Sequence, residues 1–127
     1  MIWLLRAAFS VVLVSMLCVT SWAQSVVSLW ETPRQVVLHP WFIATLFDTY
    51  FGFLTFFVWL AYRESSWLAR LLWLVAILAL GNIAMSSYML LLLWRLPADA
   101  SMAQVLLRPS AGSRGHASRP PPAAGAA

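Results

Sequence analysis

Residues 71–94 read LLWLVAILALGNIAMSSYMLLLLW, and how this run is read decides the fold. It carries no charge and is bounded by Arg70 and Arg95. A helix of about 20 apolar residues suffices to cross a bilayer, so the run predicts one spanning helix that ends before Arg95 and Pro97. Its polar residues are few: Asn82, Ser86, Ser87 and Tyr88, with Gly81 beside them. A second run, WFIATLFDTYFGFLTFFVWLAY (41–62), begins just after Pro40 and also qualifies on length. A third, AAFSVVLVSMLCVTSWA (7–23), follows Arg6.

The composition around these runs points the same way. Of 127 residues, 62% are hydrophobic and 9% charged, and the mean hydropathy is +0.81. Soluble domains carry about 25% charged residues, so this chain lies outside their range. Eight tryptophans fit a membrane protein, because indole favours the membrane–water interface. The net charge of +4 comes from eight arginines and no lysine. Arg6, Arg34, Arg63 and Arg95 flank apolar segments, where basic residues meet headgroups and set orientation. A basic patch interleaved with aromatics is absent, which excludes a nucleic-acid partner. Cys18 is the sole cysteine, so no intrachain disulfide exists.

The expected fold is an all-α membrane protein of three transmembrane helices, about 3–23, 41–62 and 67–95, in a domain covering 1–96. Two readings of the first segment stay open. A basic residue, a short apolar core and SWA before Gln24 match a signal peptide, and they also match a retained first helix. Between the first two segments, QSVVSLWETPRQVVLHP (24–40) reads as a loop or interfacial segment, since Pro33 interrupts any helix there. The connection RESSW (63–67) is short, which makes the second and third helices an antiparallel hairpin. From Pro97 to Ala127 the chain turns rich in Ala, Pro, Gly and Arg, a composition that predicts a disordered tail. Within it only MAQVLL (102–107) could touch a membrane surface, and His116 stands alone.

Asp48 is the isolated acid of the second run. A mid-membrane Asp costs about 2.5 to 3.5 kcal/mol on insertion scales, so it should face protein or water. Steps of four and three place it on a stripe of Trp41, Thr45, Asp48, Gly52, Thr55, Trp59 and Tyr62. Polar and small residues on one face predict helix–helix packing. Matching Trp41 in depth with Trp94 puts Asp48 level with Ser87, beside Ser86 and Tyr88, and Gly52 near Asn82. The expected contacts are Asp48 with Ser87 or Tyr88, and Asn82 with Gly52 and Thr55. Asp48 is then either a neutral, hydrogen-bonded carboxyl that holds the hairpin or a protonatable transport site. His39, before Pro40, is a weaker candidate at headgroup level; Arg63 and Glu64 should form a solvated charge cluster at the other end.

No phosphate loop, zinc spacing, nucleophile elbow or metalloprotease motif occurs. Ser86 or Ser87 with Asp48 lacks the histidine that relays a proton in hydrolases. Neither an enzyme nor a cofactor is expected. The stretch from His39 to Leu90, with PWFIATLFDTY, YRESSW and LGN followed by Tyr, resembles the small membrane proteins of bacteria and plants catalogued as domain of unknown function 1475. The resemblance covers about residues 1–95. With a retained first helix the resemblance supports three spans; it places Asp48, Glu64, Trp67 and Gly81 on motif positions and implies no activity.

The expected role is a structural or interaction component of a membrane assembly. Its partners are the lipid bilayer and other copies or other membrane subunits. The alternative is a small oligomeric proton- or ion-coupled transporter or channel using Asp48. Coding bias toward Ala, Arg and Pro without lysine suggests a bacterial inner membrane. Two orientations stay open. With three spans and the N-terminus inside, Arg6, Arg63 and Arg70 are cytoplasmic, which near-membrane charges favour. The reverse puts five arginines inside, Arg34, Arg95 and those of the tail.

Overall fold

A computed structural model describes residues 1–107. The described residues form helices and no strand. Helix α1 is Ile2–Val26, and a 3-10 turn at Leu29–Glu31 leads to the one-turn α2, Arg34–Val37. Helix α3 is Pro40–Arg63, α4 is Trp67–Leu80, α5 is Asn82–Arg95 and α6 is Met102–Leu106.

Local chemistry fixes the ends. Pro40 occupies the first turn of α3, where its missing N–H costs nothing. The Ser66 side chain accepts from the Ala69 N–H at the start of α4. Ser101 and Gln104 close a reciprocal capping box on α6. Helices α1 and α3, about 37 and 36 Å long at 1.5 Å per residue, are long and apolar enough to cross a membrane. Helix α4 is apolar but has only 14 residues.

The single helix expected over 67–95 is instead two helices that fold back on each other. Gly81 joins them with φ 55° and ψ −125°, a conformation that side-chain-bearing residues avoid. A Cβ on Gly81 would also lie 2.6 Å from Cζ of Phe53. In one straight helix Trp73 and Tyr88 would stand about 22 Å apart. Their ring centroids are in fact 5.0 Å apart, so α4 and α5 form an antiparallel hairpin with its apex at Gly81.

The hairpin sets the rest of the packing. Helix α5 climbs back beside the last turns of α3, where Tyr88 meets Phe56 and Trp59 edge-on. Helix α1 packs along α5 in the opposite direction. The Arg6 guanidinium, near the start of α1, donates to the Leu93 and Leu96 carbonyls at the end of α5. One core joins these elements: Ile2, Leu60, Ile77, Ala84, Tyr88, Leu93 and Val105 are all buried. Residues 97–107, assigned to the tail by composition, fold over the end of α3; the rest of that tail lies outside the described residues.

Candidate functional site

Two polar regions of α3 have opposite fates. The first is the end at Arg63 and Glu64. Arg63 is only 8% exposed, so the solvated charge cluster expected there does not form. Its Nη1 donates to the carbonyls of Gln104, Val105 and Leu107, at 3.0 Å from Gln104 and 2.7 Å from Leu107. These carbonyls belong to the end of α6, whose dipole presents partial negative charge to a cation. Trp59 Nε1 adds a bond to the Leu106 carbonyl at 3.1 Å. A buried cation is thereby solvated by backbone, and α6 is held down.

Glu64 is built in beside it. The Tyr88 hydroxyl donates to Glu64 Oε1 at 3.0 Å. Arg70 donates from Nε and Nη2 to the Glu64 carbonyl, which fixes the turn between α3 and α4. The Tyr88 ring is enclosed edge-on by Phe56, Trp59 and Trp73, geometry that favours aromatic pairs. Tyr88 is therefore a packed link between α5, α3 and α4.

The second region is the stripe from Trp41 to Thr55. Asp48 is exposed and makes no hydrogen bond among the described residues. Thr45 and Thr55 turn back to carbonyls of their own helix, at Trp41 and Phe51. No atom lies within 4 Å of a Cβ placed on Gly52. The stripe closes only at Trp59. The contacts expected of Asp48 do not form: Tyr88 bonds Glu64, and Ser87 donates to the Ile83 carbonyl. Asn82 is exposed, Ser86 is buried within α5, and His39 is exposed at the start of α3.

The physical reason is the hairpin. Depth-matching assumed one helix as long as α3, whereas α4 is about 21 Å and stops at Gly81, opposite Phe53. The face of α3 that meets α4 and α5 is Phe53, Phe56 and Leu60, followed by Arg63, one residue around from the stripe. No group of three His, Cys, Asp or Glu side chains able to hold a metal occurs among the described residues.

A family model described as "Protein of unknown function (DUF1475)" matches residues 1–113, most of the chain and all of the helices described. The chain belongs to this family. No curated protein and no solved structure compared with it matches. The match carries no activity to this chain, so the reading rests on its own residues. Of the polar residues in α3–α5, sequence patterning missed the role of Glu64. Its one signal was the motif YRESSW, which carries Arg63 and Glu64 together.

Proposed function

We propose that this chain is an integral membrane protein that serves as an interaction component of a membrane assembly, with the open stripe of α3 as its docking face. One observation carries this reading. Asp48 lies exposed on a helix apolar enough to cross a membrane, with no partner of its own among the described residues. A carboxyl left against lipid would cost about 2.5 to 3.5 kcal/mol, so a second protein surface is needed to cover it. Gly52, open one turn further on, lets another helix approach closely. The lysine-free composition fits a bacterial inner membrane as the setting, with α1 and α3 as spans.

A photo-crosslinking residue placed at Gly52, in cells and native membranes, tests this. Adducts to protein are expected from position 52 and absent from position 54, about 200° around the helix. Equal yields of protein adduct from both positions, or none from either, would sink the docking face. The openness of Asp48 also favours a second reading, in which several copies line a proton path. That reading expects Asp48→Asn to abolish pH-driven flux in liposomes while leaving crosslinking at position 52 intact.

A further inference from the structure

We infer that the chain enters the bilayer as two spans and one re-entrant hairpin, with its arginine-rich end and both flanking segments on the anionic, cytoplasmic face. The inference rests on the membrane reading above and specifies which surface meets which leaflet. Three observations carry it.

The first is the course of the helices. Arg6 bonds the Leu93 and Leu96 carbonyls, Tyr88 bonds Glu64, and α6 is tied to Trp59 and Arg63. The start of α1, the turn between α3 and α4, the end of α5 and α6 therefore share one end of the molecule. Helix α5 returns to the side from which α4 left. Residues 63–67 and 97–107, which three spans would separate, lie together.

The second is the placement of exposed indoles. Trp3 (67% exposed), Trp67 and Trp94 ring that same end, and Trp22, Trp30 and Trp41 lie at the other. Along α1 the rise from Trp3 to Trp22 is about 28 Å, close to the hydrocarbon thickness of about 30 Å. The two groups thus match the two interfaces of a bilayer. Helices α4 and α5, at 14 residues or about 21 Å each, do not reach from one interface to the other. Non-spanning helical hairpins are tolerated at membrane depth where protein packs around them, and α1 and α3 flank this one.

The third is charge. Arg6, Arg63, Arg70 and Arg95 gather at the first end, and among the described residues only Arg34 lies at the second. Arginines near span ends select the cytoplasmic side, and anionic headgroups there attract the exposed Arg95. Three spans would instead place Arg95 opposite Arg63.

The test is cysteine accessibility in intact bacteria expressing the chain with Cys18→Ser. Single cysteines replace Glu31, Ser65, Asn82 and Ala103, all exposed in the structure. A membrane-impermeant maleimide should label Glu31→Cys in intact cells. It should label Ser65→Cys and Ala103→Cys at least about tenfold more after permeabilisation, both on the same side. Asn82→Cys at the hairpin apex should react at least about tenfold more slowly than Glu31→Cys from either side, as expected of a site inside hydrocarbon. Opposite sidedness of positions 65 and 103 would overturn the inference in favour of three spans. Rapid labelling of position 82 from outside would overturn the re-entrant hairpin, and Glu31→Cys protected with 65 and 103 labelled in intact cells would overturn the orientation. If alkaline carbonate strips the protein from membranes, the membrane reading itself has failed, a result distinct from all of these.

Discussion

The two ends of α3 differ in how their polar groups are satisfied. Around Arg63 and Glu64 the described side-chain donors find acceptors within the chain: three carbonyls for Arg63, a carboxylate for Tyr88, a carbonyl for Trp59. Around Asp48 the threonines bond their own helix and the carboxyl is left over. The lesson is that one end completes a fold, while the other leaves its carboxyl without a partner among the described residues. Substitutions at the closed end should cost stability, and those at the open half should not.

The largest cost is expected at the joint between the two regions. Gly81→Ala forces a side chain into a glycine conformation against Phe53, and should destabilise by about 3 kcal/mol in detergent unfolding titrations. In a Phe53→Ala background the same change should cost about 1 kcal/mol less, since the steric part is gone and the backbone part remains. Arg63→Met comes next, at about 2 kcal/mol, because it removes charged hydrogen bonds to α6. Its particular sign is release of residues 97–107, read as faster proteolysis and amide exchange there. Tyr88→Phe keeps the ring packing and loses one donor to a carboxylate, so about 1 kcal/mol is expected. The smallest effect belongs to Asp48→Asn, within about 0.5 kcal/mol of the parent for the isolated chain. A loss at Asp48 as large as that at Tyr88 would break the contrast, because it would require a partner inside the chain.

Much of the helical content was legible in the sequence. Apolar runs bounded by Arg6, Pro40, Arg63 and Arg95 mark α1, α3 and the α4–α5 segment closely, because lipid-length apolar runs and charged ends are strong signals. The reversal at Gly81 was not legible. A glycine inside an apolar run is compatible with a continuous helix, and nothing in the run announces its φ of 55° or the close approach of Phe53. The depth match of Asp48 with Ser87 and Tyr88 inherited that error. Residues 97–107 were misread for a related reason. Val105 and Ala100 supply little apolar surface alone, and their burial depends on Arg63 gathering carbonyls from a distant helix. Long-range hydrogen bonds of this kind leave no periodicity to read.

The shortness of the hairpin has a consequence for the outline of the molecule. Placed in a bilayer as inferred above, the leaflet beside Arg63 holds four helices, α1, α3, α4 and α5, whereas past Gly81 only α1 and α3 continue. The body tapers, broad at the arginines and narrow towards Glu31. The open stripe around Asp48 and Gly52 lies in this narrow half, so a helix docked there as proposed would add width where the body has least.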